Sequence, residues 1–338
     1  MRTSIIILNW NGWKDTIECL ESVFRLKTLG YRVIVCDNQS SDGSLDKIKL
    51  WANGELNAIA QNPELAHLIS PPILKPIRYV ELTRAETGTA HIEFDAPLIL
   101  IQSGENIGFA AGNNIGINCA LRDKNCEFFW ILNNDTVVDP QSLDAMMHMM
   151  LERNDIGLCG SLNLSYVNPE EVQTEGGNKY SRWTGRVAKR RKYFVHNLPP
   201  RPAEFDYVNG ASMLASRDFL EKVGLMEESY FLYFEEMDWA MRAKGQFTLG
   251  YARESVIYHK EGKAIGSNGD RMSRSLRSEY YLTKNRVLFT RRFFPWALPT
   301  VIAAIGAAAL ERICRGDWNR GRTMFTAMAA GMNVHRIP

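Results

Sequence analysis

The sequence predicts an α/β fold in which a mostly parallel sheet is covered by helices. Three observations carry this. Short apolar runs recur and end in polar turn residues. Segments with apolar residues at helical spacing follow them, the rhythm of a parallel sheet with crossover helices. The 338 residues are enough for one large α/β domain with additions, or for two domains.

The elements follow in order. Residues 4–8 (SIIIL) read as a buried strand ending in the turn NWNG. Residues 15–26 place Ile17, Leu20, Val23 and Phe24 at helical spacing. A second apolar run begins at 31 (YRVIVCDNQSSDGS), and residues 44–51 suggest a helix. Residues 53–97 break the rhythm, being richer in Pro, Thr and acids, and read as an insertion with a hairpin over 78–94. The rhythm resumes with a strand over 97–103, a glycine-rich turn into a helix over 104–121, and a strand over 127–136. Residues 139–153 read as a helix with Asp139 as N-cap and Pro140 first. Residues 157–202 read as loop-rich and basic. Within them 182–194 (RWTGRVAKRRKYF) hold six Lys or Arg and three aromatics, fitting either a solvated loop or a flap over an anionic ligand. Residues 207–224 read as a strand and a helix.

Composition narrows the class. The chain is 45% hydrophobic and 23% charged, ordinary for a soluble globular protein. A net charge of +2 gives no reason to expect nucleic acid as a partner. The six cysteines form no C-x-x-C pair, as expected of reduced, buried thiols in a cytoplasmic protein. The first apolar run is too short for a signal-peptide core.

In open parallel sheets ligands bind at the carboxyl ends of the strands. There stand Asn9, Trp10 and Asn11; then Asp37 and Asn38; then Asn106 and Gly108; then Asn133, Asn134 and Asp135. Each group alone is ordinary turn chemistry, but four in order suggest a grip on a polar ligand. Asp37 can accept hydrogen bonds from a ribose or a base N–H. No G-x-G-x-x-G follows the first strand and no Walker motif is present, which argues against a nicotinamide-dependent dehydrogenase. A sugar nucleotidyltransferase would want a basic, glycine-rich phosphate loop where NWNGWKD stands. A divalent metal, Mg²⁺ or Mn²⁺, held by Asp135 would neutralise a pyrophosphate.

Residues 231–243 (FLYFEEMDWAMRA) set Glu235, Glu236 and Asp238 directly behind aromatics, although unpaired charge is costly to bury. On a helix, Asp238 and Arg242 lie four apart and can pair, and Glu235 can cap the helix or position Glu236. A non-catalytic carbohydrate-binding protein would not need Asp135, Glu236 and His259 together.

As an ordered set, residues 5–12, 33–44, 105–117, 128–136, 208–224 and 230–245 resemble the family 2 glycosyltransferases of GT-A fold, specifically the bacterial rhamnosyltransferase-like branch. The resemblance covers roughly residues 4–262. It implies a Rossmann-like nucleotide-binding half and transfer of a sugar from a dTDP- or UDP-sugar, with inversion, to a hydroxyl of a saccharide or lipid-linked acceptor. Asn9 and Asp37 look like nucleoside contacts, and Asn106, Gly108 and Asn113 like diphosphate contacts. Asn133, Asn134 and Asp135 resemble a D-x-D metal motif whose first acid is Asn. His259 resembles a metal or pyrophosphate contact. Glu236 aligns with the catalytic base, beside Glu235, and the two can exchange roles. Residues 259–267 look like a loop that folds over the donor, with Lys260 or Lys263 near phosphate.

Residues 1–270 are thus expected to be catalytic and 271–338 a helical extension. Residues 277–296 mix Arg and Lys with Tyr, Phe and Trp, as membrane-surface segments do. The apolar run 297–310 reaches about 21 Å as a helix, short of a roughly 30 Å hydrocarbon core. Pro295 and Pro299 are expected to interrupt a longer helix. The tail is therefore expected to make peripheral contact with the inner face of a membrane, with a helical hairpin packed on the catalytic domain as the alternative.

Overall fold

The computed structural model describes residues 2–89, 92, 94–188, 193–200, 204–261 and 275–333. Its elements run β1 (Arg2–Asn9), α1 (Trp13–Val23), β2 (Tyr31–Asp37), α2 (Ser44–Asn53), β3 (Tyr79–Thr83), α3 (Glu86–Thr89), β4 (Leu98–Gln102), α4 (Phe109–Leu121), β5 (Cys126–Asn133), β6 (Thr136–Val138) and α5 (Ser142–Glu152). There follow β7 (Ile156–Ser165), β8 (Val172–Glu175), β9 (Gly177–Asn178), β10 (Tyr180–Ser181), β11 (Arg186–Val187), β12 (Tyr207–Val208), β13 (Ser212–Ser216), α6 (Arg217–Val223), α7 (Glu235–Ala243) and β14 (Thr248–His259). Three C-terminal helices close the described chain: α8 (Leu276–Phe293), α9 (Leu298–Cys314) and α10 (Trp318–Asn333).

One sheet organises these elements, in the order β3-β4-β2-β1-β5-β13-β7-β14-β6, with β8 beside β7. β3, β4, β2, β1 and β5 are parallel; β13, β6 and β8 run against their neighbours. Both faces are covered, so the central strands read as unbroken apolar runs. Ile5, Ile7, Val33 and Val35 pack under α1, α2 and α5, whereas Ile6, Ile34, Ile99 and Ile101 pack under α4, α6 and α7. The register sets Asn9 beside Asp37, Asp37 beside Gln102, and Leu8 beside Asn133. The polar ends of four strands therefore lie in one row.

The structure differs from expectation in five places. Tyr79–Thr83 is a parallel edge strand on β4, and Glu86–Thr89 a short helix, where a hairpin was expected. The Glu86 carboxylate accepts from Thr83 N and Oγ1, both at 2.7 Å, and turns the chain into that helix. α5 starts at Ser142. Asp139 acts one turn earlier, its carboxylate accepting from Gln141 N at 2.9 Å. β7, a buried ten-residue strand, lies where loop was expected. Its small and polar residues hid it, yet they are satisfied by neighbours: Ser161 Oγ lies 2.7 Å from Ser212 Oγ and 2.8 Å from Ser255 Oγ. Pro299 sits in the first turn of α9, and Pro295 opens a 3₁₀ turn before it, so the prolines start that helix and do not interrupt it. Finally, five cysteines are buried, but Cys314 is exposed. Burial pushes the Cys19 and Cys159 thiols up to about 12 and Cys119 to about 11.

The tail is packed into the body. Leu288, Phe289, Phe294 and Ala297 join Tyr207, Tyr230, Phe234, Met237 and Ala240 in one apolar cluster. Before α7 the backbone is unusual. Phe231, Tyr233 and Phe234 have φ of 65, 70 and 81°. Left-handed φ at a bulky residue costs on the order of 1–3 kcal/mol and persists only when its surroundings impose it. Asn285 on α8 imposes it: its Nδ2 donates to the carbonyls of Tyr230, Leu232 and Tyr233 at 2.8, 2.8 and 3.1 Å. Asn285→Ala is therefore expected to lower the unfolding free energy by about 3 kcal/mol, since buried carbonyls lose their donor. Urea denaturation measures this, and a loss under about 1 kcal/mol would mean that the turn holds itself.

Candidate active site

At the carboxyl ends of β1, β2, β4 and β5 lies a cavity of about 320 Å³. Asn106, Gly108, Asn133, Asn134 and Asp135 line it, together with Trp10, Asn38, Phe231 and Arg277. The last two come from segments whose role in this cavity sequence reasoning missed. Asn38 shapes the glycine-rich turn: its Nδ2 donates to Asn106 Oδ1 and Gly108 O, and its Oδ1 accepts from Ile107 N. Gly108 has φ of 88°, and a Cβ there would collide with the Phe231 carbonyl. That carbonyl accepts from Phe109 N at 2.7 Å, joining the turn to the strained segment. The Arg277 guanidinium lies 5.4 Å from the Trp10 ring centre and 5.3 Å from that of Phe231, within cation–π range of both.

Asn9 and Asp37 sit below this lining. Both are buried, and Asn9 Nδ2 donates to Asp37 Oδ1 at 2.7 Å. Asp37 Oδ2 accepts from Ser40 N and Gln102 Nε2. Asn113 is buried in α4, where its Nδ2 donates to Phe109 O.

Asp135 and His259 are brought together by strand pairing. β6 and β14 pair antiparallel with Thr136 opposite His259, and Lys260 N donates to Asp135 O at 3.0 Å. His259 Nε2 lies 3.3 Å from Asp135 Oδ1 without an aligned hydrogen bond, and Nδ1 lies 3.2 Å from Gln173 Oε1. Burial opposes charge on His259, but the Asp135 carboxylate outweighs it and the pKa is raised. A buried imidazole nitrogen without an aligned partner, facing a carboxylate, fits a cation. Among the described residues no group of three or more His, Cys, Asp or Glu could hold a metal. Asp135 and His259 would thus leave most coordination positions to ligand oxygens, as Mg²⁺ and Mn²⁺ accept.

Lys260 is a correction. Its Nζ points away from the cavity and pairs with Asp15, at 2.6 Å, and with Glu18 on α1, so it does not meet a phosphate there. Lys263 and most of the expected closing loop lie outside the described residues.

The three acids of the aromatic segment separate. Asp238 is fully buried and structural in its contacts: Oδ1 accepts from Arg242 Nε at 2.7 Å, and Oδ2 from Arg292 Nη1 at 2.8 Å and Tyr230 O–H at 3.0 Å. Glu235 is buried with Oε2 unpartnered, and burial, reinforced by the neighbouring Glu236 charge, raises its pKa well above the usual range. Glu236 faces a second cavity, also about 320 Å³, walled by the C-terminal helices. Solvent partly reaches it, yet the surrounding protein pushes it up to about 7. The strained turn separates the two cavities, with Phe231 and Leu232 facing the first, Tyr233, Phe234 and Glu236 the second. The separation is thin. A Cβ on Gly210 would lie 3.9 Å from Glu236 Cδ, and the next carbonyl, Ala211 O, accepts from Asn133 N at 3.0 Å.

A mostly parallel sheet with flanking helices and a polar cleft at its strand ends, followed by C-terminal helices, is a GT-A-like architecture. Residues 4–65 match the family model for glycosyl transferase family 2. Over 152 residues the chain is 28% identical to the low-salt glycan biosynthesis hexosyltransferase Agl10 of Haloferax volcanii, a match covering 43% of this chain and 45% of that protein. It thus spans less than half the length of that relative. The mannosyltransferase PcManGT from Pyrobaculum calidifontis, solved with GDP-Man and Mn²⁺, superposes with a TM-score of 0.50 at 15% identity, over 98% of this chain and 86% of that one. GalNAc-T7, solved with UDP, GalNAc and Mn²⁺, gives 0.50 at 14% identity, over 85% and 51%.

The carboxyl of Glu236 holds its proton more tightly in the folded chain than in the unfolded one. Its contribution to stability is present below its ordinary value of 4.5 and is lost as pH rises towards about 7. Glu236→Gln is therefore expected to melt above the wild type at pH 8 and close to it at pH 5. Equal melting differences at both pH values would remove the shift.

Proposed function

We propose that the protein is a metal-dependent, inverting glycosyltransferase that moves a hexose or deoxyhexose, rhamnose among the candidates, from a dTDP- or UDP-sugar to an acceptor hydroxyl. The observation that carries this is the pairing of two cavities across one thin, strained turn. One is lined by Asp135, with His259 beside that carboxylate, at strand ends suited to a nucleoside diphosphate; the other has a carboxyl poised near neutrality. The family match over 4–65, the distant hexosyltransferase relative and the GT-A-like fold support it.

Asn38, Asn106 and the backbone at Gly108 bind the donor, and the faces of Trp10 and Phe231 bound its cavity. Asn9 and Asp37 are the nucleoside contacts of this reading, and Asn9 O also fixes the neighbouring strand end by accepting from Asn38 N at 2.8 Å. Asp135 and His259 would hold Mg²⁺ or Mn²⁺, which when bound supplies positive charge to the departing diphosphate. The acceptor oxygen forms its bond to the anomeric carbon as the bond from that carbon to the diphosphate oxygen breaks. The bonding pair leaves with the nucleoside diphosphate, and the acceptor proton passes to Glu236. Glu235, buried behind it, keeps its own proton as Glu236 ionises, because burial and the Glu236 charge hold its pKa well above the usual range.

A panel of sugar nucleotides with Mn²⁺ or Mg²⁺, read by thermal shift, identifies the donor through ligand stabilisation. With that donor, Asp135→Ala should abolish transfer and weaken metal-dependent nucleotide binding. Glu236→Gln should keep donor binding and lose roughly 10²-fold or more in rate, with Glu235→Gln losing less. Transfer by the wild type should rise with pH through about 7, as Glu236 must be ionised to accept the proton. Near-normal turnover of Asp135→Ala at saturating metal would remove Asp135 from the site, and the reverse ranking of the glutamates would exchange their roles.

The same reading takes residues 1–270 as the catalytic unit, and 271–338 as an extension that completes it through Asn285 and rests on the inner face of a membrane. One helical stretch, Pro295–Cys314, is long and apolar enough to cross a membrane by length and composition, and only 22% of its most apolar part is buried. Trp183 and Trp296 form an exposed edge-to-face pair at 4.9 Å beside it, the amphipathic aromatics that favour an interface. Peripheral attachment predicts that a carbonate or high-salt wash releases the protein from membrane pellets. Retention after carbonate would make the stretch a span, and a wholly soluble protein would leave it a packed hairpin.

A further inference from the structure

We propose that Arg277 is a binding residue for the donor's diphosphate, carried into the donor cavity by the C-terminal extension, an inference that rests on the glycosyl-transfer reading. Among the described residues that line this cavity, Arg277 is the only Lys or Arg. The rest of the lining offers amides, backbone, a hydroxyl, apolar side chains and the Asp135 carboxylate. None of these balances the charge of a diphosphate, and Asp135 adds to it. Lys260, next to His259 in the chain, is held elsewhere by Asp15 and Glu18.

Nothing in the helix offsets a cation at this position. Arg277 stands in the first turn of α8, where the helix dipole favours acids. The residues three and four further on are Tyr280 and Tyr281, so no acid of α8 pairs with it at helical spacing. Among the described residues no acid lies within ion-pair distance of it. It meets the rings of Trp10 and Phe231 instead. An aromatic face attracts a guanidinium without using up its N–H donors, so those donors remain for a ligand.

The side chain is also held in place. Tyr281, one turn further along α8, stacks on the Phe231 ring with centres 4.8 Å apart and planes 16° apart. Arg277 and Tyr281 thus seat the start of α8 on one ring. That ring lies against the glycine turn, since a Cβ on Gly108 would stand 2.8 Å from Phe231 Cδ2. Arg277 is therefore one aromatic ring away from the backbone that approaches the ligand. A guanidinium held this way loses less freedom on binding, and its planar fork matches phosphate oxygens. Negative charge on the diphosphate grows as its bond to the sugar breaks. The same cation then stabilises the departing group more than the intact donor.

The test is calorimetric titration of the full chain with UDP, dTDP and GDP in the presence of Mn²⁺, carrying forward whichever binds most tightly. Arg277→Gln should bind that diphosphate about tenfold or more weakly, the scale of one lost charge-assisted hydrogen bond. The matching nucleoside, followed by ligand-observed NMR, should bind wild type and variant alike. Arg277→Lys should recover part of the loss, because it keeps the charge and gives up the fork. Arg277 is exposed, so neither variant is expected to disturb folding. Diphosphate affinity unchanged in Arg277→Gln would overturn the proposal. So would a nucleoside weakened as much as the diphosphate, which would assign the side chain to the base. A wild-type chain that binds none of the three diphosphates would defeat the glycosyl-transfer reading itself, whereas binding indifferent to Arg277 defeats this assignment alone.

Discussion

A single side-chain amide holds the arrangement that the rest of the site depends on. Asn285 Nδ2 offers two hydrogens to three carbonyls of the 230–233 segment, so one hydrogen is shared. Phe231 N also donates to Glu228 O at 3.2 Å and Phe231 O accepts from Phe109 N at 2.7 Å, so the amide completes the set of ties that keeps Phe231, Tyr233 and Phe234 at positive φ. The geometry they impose sends Phe231 into one cavity and Glu236 into the other. The Asp238–Arg292 pair at 2.8 Å makes a second tie between α7 and α8. The C-terminal helices are in this sense part of the framework of both cavities.

The other constraint is sheet register. Asp135 and His259 are far apart in the chain, and only the antiparallel pairing of β6 with β14 sets them side by side. The same pairing swings Lys260 to the opposite side, onto Asp15 and Glu18, with its Nζ 4.6 Å from the Tyr166 ring centre. Two adjacent residues on one strand end thus serve opposite ends: His259 faces the Asp135 carboxylate, and Lys260 fastens the strand to α1.

The parallel half was legible because its signals are local. Ile5 to Ile7 and Val33 to Val35 are buried on both faces, so their apolar runs stand out, and polar turns mark their ends. β7 was not legible, because Ser161 and Asn163 look like loop residues until Ser212, Ser255 and Asn209 supply their partners from elsewhere in the chain. Trp10 and Asn38 were visible as turn residues, but their place in the lining was not. Arg277 gave no signal, since its role comes from α8 reaching across to Trp10. Both glutamates were legible as acids set directly behind aromatics. That Glu236 faces a cavity different from the one holding Asp135 depends on three left-handed residues no sequence pattern announces.

The order of strands has a consequence for how the chain acquires its shape. β1 to β5 fill five neighbouring places in the sheet, so a ribosome that has released the chain through Asn133 has supplied every strand of the parallel half, though not Asp135, Phe231 or Arg277 of the cavity lining. β14 then enters between β7 and β6, both made long before it. Threading a late strand between two early ones demands non-local pairing, which slows folding and leaves hydrogen-bonding edges uncovered meanwhile. The emerging chain therefore passes through a period in which its parallel half is built while β6 and β7 still expose open edges, and chaperone demand should concentrate there.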